Sequence, residues 1–142
     1  MNAKDYLSQA YRLDQRIRIV QEDIEQLQDL AGSVSSPGFE EHYNTTRNTE
    51  APFVRTLYKM MEKQDELNNK LQLMMKLKSE ISDVLELLEN KDERLVLTYR
   101  YLRNWTWDRI GSELHADERT IRRWHYRALS HVVVPEKPTI FR

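Results

Sequence analysis

Apolar residues recur at alternating steps of four and three through the first part of the chain. The pattern is held for more than three heptads, at Tyr6, Ala10, Leu13, Ile17, Val20, Ile24, Leu27 and Ala31. A seven-residue repeat of this length is typical of a coiled-coil seam, although an amphipathic core helix has most of the same features. The pattern predicts a single helix of about 28 residues.

The repeat resumes at Phe53 after an interruption. It passes through Leu57, Met60, Leu67, Leu71 and Met74, and continues in a shifted register at Leu77, Ile81, Val84 and Leu88. Lys78 falls on the old seam, so the sequence predicts a register slip near Met74 to Lys78. Pro52 suits a first helical turn, and we predict a second helix over 52–88 of about 37 residues, or about 55 Å. Since it is longer than the first helix, its surplus apolar surface is predicted to meet the C-terminal domain or another subunit.

The interruption at 32–52 holds Gly, Pro, Ser and Thr in clusters and keeps no period. It predicts a loop of about 20 residues. Its Ser, Thr, Arg and His side chains are candidates for phosphate contacts, whereas a solvated connector is the simpler interpretation. A loop of this length lets the chain turn back, so we predict that the two long helices pair as an antiparallel hairpin.

A different pattern begins at Asn90. This short side chain, followed three residues later by Glu93, predicts a reciprocal capping pair at the start of a helix that ends near Leu102. The residues predicted to face inward from this helix are Leu95, Tyr99 and Leu102, with Val96 beside them.

Residues 105–129 predict two short helices around a tight turn. Thr106 is placed to cap the first helix, and Asp117 to cap a second helix that runs from Glu118 to about Ser130. Gly111 lies where the second helix must come close to the first. The predicted core residues are Ile110, Leu114, Ile121, Trp124, Ala128 and Leu129, with Trp107 in the join and Trp105 as a lid. Base stacking is the alternative role of both tryptophans.

The opposite edge of the second short helix is rich in arginine, and no acidic residue follows Glu118 in it. A helix packed on one side and basic on the other suits the DNA major groove, although a solvated surface is the alternative. We predict that Arg119 and Arg122 contact base edges, with Glu118 and Thr120 beside them. The further candidate DNA contacts, chiefly to phosphates, are Arg103, Arg123, Tyr126 and Arg127.

The composition narrows the possible functions. A net charge of −1 argues against a nucleic-acid binder, but residues 99–131 hold seven arginines against four acidic residues. The absence of cysteine excludes disulfides and thiolate metal sites, and no apolar run is long enough to span a membrane. Three glycines cannot form a phosphate-binding loop, and the four histidines lack zinc-site spacing. We therefore predict a cytoplasmic non-enzyme with no cofactor and no metal.

Short motifs in the chain resemble known families. The motif Tyr99-Arg100-Tyr101-Leu102 before the short helices, and Arg127-Ala128-Leu129 at their end, resemble the fourth region of bacterial sigma factors. With Ala3-Lys4-Asp5-Tyr6-Leu7 and Trp107, they give most of the chain a narrower resemblance to a phage-encoded family of Gram-positive hosts. That family is similar to late-gene transcription activators of the RinA and ArpU type, which implies a helix-turn-helix that binds DNA. Its turn usually has Gly at the position of His115.

The combined prediction is an all-α protein. A long antiparallel coiled-coil-like helical hairpin over 1–89, with its loop at 32–52, precedes a sigma region-4-like helix-turn-helix domain over 90–134. An extended tail over 135–142 is predicted to be anchored by Ile140 and Phe141.

The predicted function is a phage or prophage transcription regulator of the late-gene activator type. It is predicted to bind double-stranded DNA as a homo-oligomer, most simply a dimer, and RNA polymerase is a further candidate partner. One alternative is a DNA-packaging recognition subunit of the small-terminase kind, although that type usually carries its DNA-binding domain first. The other alternative is a helical protein–protein adaptor, against which the arginine edge argues.

Overall fold

The computed structural model describes residues 1–34 and 50–141, and no strand is found among them. The helices are α1 (Ala3–Ser8), α2 (Leu13–Val34), α3 (Glu50–Glu86), α4 (Lys91–Leu97), α5 (Trp107–Leu114) and α6 (Glu118–His131), with a π-helical segment over Thr98–Leu102. The all-α prediction is therefore confirmed for the described residues. The chain divides into two compact units. Residues 1–15 and 73–142 form the first unit, and residues 16–72 form the second.

The prediction of one continuous N-terminal helix is wrong. Helix α1 ends at Ser8, α2 begins at Leu13, and Arg12 between them has a left-handed φ of 51°. Such a backbone costs a non-glycine residue about 1–2 kcal/mol. A contact distant in sequence offsets part of this cost, since the Arg12 amide donates to Oδ1 of Asn104 at 3.2 Å. The break lets α1 pack against α6, which a straight helix of heptad repeats would not predict.

The register slip in α3 is confirmed by burial. Leu77 and Ile81 are completely buried, whereas Lys78 is exposed and its Nζ lies 2.6 Å from Oδ1 of Asp14 at the start of α2. The helix has the predicted length of 37 residues but lies two positions earlier in the chain. The loop predicted over 32–52 is helical at both ends, up to Val34 and from Glu50. Its remaining positions, 35–49, lie outside the described residues.

One hydrophobic core cluster of the first unit lies where α4, α5 and α6 meet. Val96, Ile110 and Ile121 are completely buried there. Partly buried hydrophobic residues pack around them: Tyr99, Trp105, Trp107, Leu114, Ala116 and Trp124. The predicted inner face of α4 is wrong in one respect, because Leu95 is exposed and Leu97 is buried in its place. The helix is rotated so that Val96 faces the core.

The C-terminal tail is held by a side chain that the apolar pattern does not indicate. Thr139 is buried, and its amide and hydroxyl donate to the two carboxylate oxygens of Glu80 at 2.9 and 2.6 Å. Tyr6 donates to the same carboxylate at 2.7 Å. The predicted anchor Ile140 is exposed, while Phe141 is half-buried and its amide donates to Gln9. The tail is thus anchored by hydrogen bonds to α3 and to the residue that follows α1.

Candidate nucleic-acid interface

Helices α5 and α6 are joined by a turn whose local features match the sequence. Thr106 caps α5 by accepting from the Arg109 amide at 3.2 Å, and Asp117 caps α6 by accepting from the Thr120 amide at 2.8 Å. Between them His115 has φ 54° and ψ 45°, the left-handed conformation that commonly ends a helix. The two predicted caps are confirmed, and the turn has the backbone for which glycine is the usual residue.

Gly111 makes a close approach, but to the turn rather than to the second helix. A Cβ atom built on it would lie 2.6 Å from the carbonyl oxygen of Ala116, a distance that requires the backbone to shift. The Ala116 amide in turn donates to the carbonyl oxygen of Gly111 at 3.0 Å. Glycine at this position therefore lets the chain fold tightly from α5 into α6.

Helix α6 has one buried and one exposed face. Ile121, His125 and Ala128 are buried, and Trp124 and Leu129 are half-buried. The candidate residues Glu118, Arg119, Arg122, Arg123, Tyr126 and Arg127 are exposed, Thr120 is half-buried, and Arg103 is exposed before α5. The candidates on α6 therefore lie away from its buried face. The apolar pattern did not indicate His125, because its neighbours at three- and four-residue spacing form a complete edge without it.

Two of the candidates are paired with each other. Nη2 of Arg122 lies 2.7 Å from Oε1 of Glu118 one turn earlier, and its guanidinium carbon lies 5.2 Å from the Trp107 ring centroid. The Arg122 and Glu118 side chains are both about half exposed. The Asp117 carboxylate has a lowered pKa, chiefly because Thr120 donates to it, with Arg123 and Arg119 adding positive charge. The start of α6 therefore combines acidic capping groups with exposed arginines.

Arg127 has a structural partner that its predicted role did not include. Its Nε lies 2.8 Å from Oε1 of Glu93, whose side chain is only 2% exposed, and Nδ1 of His131 lies 2.8 Å from the second oxygen. Asn90 accepts from the Glu93 amide as predicted, but the Glu93 carboxylate binds α6 rather than the start of its own helix. The reciprocal half of the capping pair is therefore wrong. The predicted phosphate contact of Arg127 stays a prediction.

Trp105, just before α5, and Trp107, the first residue of α5, lie in stacks of aromatic and cationic groups. The Trp105 ring is parallel to Tyr99, with centroids 4.2 Å apart, and the Arg109 guanidinium carbon lies 3.9 Å from the Trp105 centroid. The Arg100 guanidinium carbon lies 4.2 Å from the Trp107 centroid. Both rings are half-buried against the core cluster, which agrees with their predicted structural roles and leaves little ring surface for stacking on bases.

His125 is a buried polar group beside these rings. It is 3% exposed, its Nε2 lies 2.7 Å from the Tyr101 hydroxyl, and its Nδ1 has no hydrogen-bond partner in the described part of the chain. Burial lowers the pKa of His125 to about 4, and the positive charges of Arg100 and Lys4 act in the same direction. The imidazole is therefore neutral at pH 7 and packs against Trp107 edge to face.

Neither a metal site nor a membrane-spanning helix is found in the described part of the chain. Within residues 1–34 and 50–141, no group of three or more His, Cys, Asp or Glu side chains is arranged to hold a metal ion. In the same ranges, no helix is both long enough and apolar enough to cross a membrane.

A protein-family profile matches residues 4–132 of the chain, which is most of its length. Its description is "protein of unknown function (DUF722)". The chain belongs to this family. No curated protein and no solved structure matches it. The matched residues extend from α1 to the end of α6, so the family profile covers the long helices as well as the two short ones.

Proposed function

We propose that this DUF722 protein is a sequence-specific DNA-binding regulator of transcription. The observation that carries the proposal is the two-sided character of α6. One side is buried in the core of the first unit through Ile121 and Ala128, and the other presents arginines and Tyr126 to solvent. A rigid helix of this kind, joined to a capped partner by a turn of a few residues, has the properties of a recognition helix.

The proposed mode of binding places the first turns of α6 in the major groove. Arg119 and Arg122 would donate to base edges there, and Glu118 and Thr120 lie in the same turns. Arg122 would exchange its bond to Glu118 for bonds to a base, and this exchange favours guanine, whose N7 and O6 both accept. Arg123 and Arg103 would contact phosphates. The resemblance to late-gene activators of phages supports this mode and adds RNA polymerase as a candidate partner.

The long helices are proposed to form an antiparallel hairpin and to join two copies of the chain. The support comes from apolar side chains on α3 that are exposed within one chain. Val54, Tyr58 and Met61 follow one another at helical spacing and are 41%, 62% and 59% exposed. Such a stripe matches the surface that a second coiled-coil seam would bury. A dimer would present two copies of α6 to two half-sites.

Selection of duplexes from a random pool tests the proposal without a known operator sequence. We expect the wild-type chain to enrich a defined motif, and the variant carrying both Arg119→Ala and Arg122→Ala to enrich none. Arg18→Ala, which removes an exposed arginine from α2, is the control and should enrich the same motif as wild type. If wild type enriches no motif and binds no duplex above the background level, the proposed function is wrong.

Mapping of bound DNA in the host cell then separates regulation from packaging. Occupancy beside promoters supports a transcription regulator. Occupancy confined to a packaging site would instead assign the chain to the small-terminase kind of DNA recognition.

A further inference from the structure

A cleft of about 480 Å³ lies beside the exposed face of α6, in the first compact unit. It is bounded by Lys4 of α1, by Arg100 and Tyr101 of the π-helical segment, and by Arg122 and Tyr126 of α6. His125 and Trp107 also line it, and none of the described residues that line it carries a carboxylate. The cleft shares Arg122 and Tyr126 with the proposed DNA-reading face, so the two surfaces are continuous.

The charges around this cleft favour an anion. Arg100 uses Nη1 to donate to the Trp105 carbonyl at 3.0 Å and lies over the Trp107 ring, which fixes its position and leaves its other guanidinium N–H groups for a ligand. Arg122 is partly compensated by Glu118, but Lys4 is exposed on α1 and adds a further cation. The lowered pKa of His125, to which burial contributes most and Arg100 and Lys4 also contribute, agrees with a net positive potential inside the cleft.

We propose that this cleft binds a phosphate of the DNA backbone, with Lys4 and Arg100 as its cationic contacts. The inference rests on the proposed function and extends it, since neither residue belongs to the two short helices. A backbone strand beside the groove that α6 enters would run past the shared residues Arg122 and Tyr126. Tyr126 adds a hydroxyl group, and hydroxyl groups are common phosphate contacts in protein–DNA complexes.

The N-terminal helix thereby gains a role in DNA binding. Lys4 reaches the cleft because the chain breaks between Ser8 and Leu13 and α1 packs on α6. The buried side chains Tyr6 and Leu7 hold α1 in that place. The break thus brings the Lys4 ammonium group of α1 into the same cleft as Tyr126 of the proposed recognition helix.

The salt dependence of binding to the selected operator duplex tests the inference. Each neutralised phosphate contributes about 0.9 to the slope of log K against log salt concentration. We expect Lys4→Gln to lower the slope by about one such unit on operator and scrambled duplexes alike, with the ratio of the two affinities unchanged. Lys4→Arg should restore the slope. Lys59→Gln, which removes an exposed lysine from α3, is the matched control and should leave it unchanged.

The inference is overturned if wild type binds its operator but Lys4→Gln and Lys59→Gln have the same slope of log K against log salt concentration. That outcome leaves the proposed function intact, whereas absence of duplex binding by wild type removes both. Inorganic phosphate supplies the second arm, followed by the indole N–H resonance of Trp107. A saturable shift at submillimolar phosphate, together with an unchanged Lys4→Gln slope, would assign the cleft to a free phosphate-bearing ligand and would also overturn the inference.

Discussion

Arg127 and Glu93 form an ion pair that joins α6 to α4, with Nε of Arg127 2.8 Å from Oε1 of Glu93. The carboxylate is buried while the arginine is about half exposed. Burial alone would raise the pKa of Glu93, but the hydrogen bonds from His131 and Arg127 outweigh it and hold the pKa below its ordinary value. The carboxylate is therefore ionised at neutral pH and ties down the C-terminal end of α6.

Arg127→Ala should consequently destabilise the fold. Hydrogen bonds to charged groups contribute about 1.5–3 kcal/mol, and the exposure of Arg127 places the expected loss near the lower end. Arg123→Ala, four positions earlier on the exposed face, should change the free energy of unfolding by less than about 0.5 kcal/mol. Urea unfolding of both variants measures the difference. Equal stabilities would contradict a structural role for the ion pair.

Two substitutions in and beside the turn between α5 and α6 should change the free energy of unfolding in opposite directions. Gly111→Ala places a Cβ atom against the Ala116 carbonyl oxygen and should cost about 1–3 kcal/mol. His115→Gly removes the left-handed strain of a non-glycine residue, and should stabilise the fold by up to about 1 kcal/mol after the entropic cost of glycine is subtracted. Thermal unfolding followed by circular dichroism tests both. A Gly111→Ala variant as stable as wild type would show that the turn has room for a Cβ atom beside the Ala116 carbonyl oxygen.

Local features of the fold could be predicted from the sequence because their causes are local. Thr106 and Asp117 cap helices whose first turns follow them directly, and the shift from Lys78 to Leu77 is visible in the apolar pattern itself. The exposed arginine face of α6 follows from helical periodicity in the same way. These features depend on residues within one or two turns of each other.

The features that the sequence pattern does not predict depend on contacts between distant residues. The sequence around Glu93 fits a capping pair, but the partners of its carboxylate lie 34 and 38 positions away on α6. The break before α2 is supported by Asn104, which is 92 positions from Arg12. Thr139 reaches Glu80 across 59 positions. The spacing of apolar residues carries no information about contacts between distant residues. For the same reason, the cleft between α1 and α6 cannot be predicted from the sequence.

His125 makes the stability of the first unit depend on pH. Burial first, and then the charges of Arg100 and Lys4, lower its pKa from 6.5 to about 4. The unfolded chain therefore binds more protons between these values, so the free energy of unfolding falls as the pH falls from 6.5 to about 4. At about 1.36 kcal/mol per pKa unit, the full loss is about 3 kcal/mol.

Urea unfolding at pH 7, 6 and 5 measures this loss. Glu80 and Glu93 also have lowered pKa values, since hydrogen bonds outweigh the effect of burial, but their ordinary value of 4.5 places their loss at lower pH. His125→Gln should flatten the dependence between pH 6.5 and 5. In wild type, the His125 ring resonance should titrate near pH 4, and a midpoint near 6.5 would contradict the buried, neutral imidazole.

The proposed dimer should depend on the exposed stripe of α3. Tyr58→Glu introduces a charge into the stripe formed with Val54 and Met61, and we expect it to convert the dimer to a monomer at tens of micromolar. Lys59→Glu places the same side chain one position along, outside the stripe, and should leave the mass unchanged. Light scattering measures both. A monomeric wild-type chain at this concentration would remove the dimer and leave a DNA-binding monomer.

The arginines of α6 should divide by role when DNA binding is measured. Arg119 and Arg122 lie in the first turns, where a recognition helix enters the groove, whereas Arg123 is placed for the backbone. Loss of a bidentate contact to guanine costs about 1–3 kcal/mol of discrimination. Arg119→Ala and Arg122→Ala should therefore lower the ratio of operator to scrambled affinity, and Arg123→Ala should weaken both affinities alike and reduce the salt slope.

Arg122 carries an internal control for this division, because its pairing with Glu118 can be removed separately. Glu118→Gln frees the guanidinium from a charged partner at 2.7 Å. If Arg122 reads a base, this substitution should strengthen binding to duplexes that offer guanine at the contacted position. Anisotropy titrations of the four variants on operator and scrambled duplexes, across a salt series, decide between these outcomes. Equal losses of discrimination for Arg119→Ala, Arg122→Ala and Arg123→Ala would show that the helix contacts phosphates only, and the assignment of base reading to its first turns would be wrong.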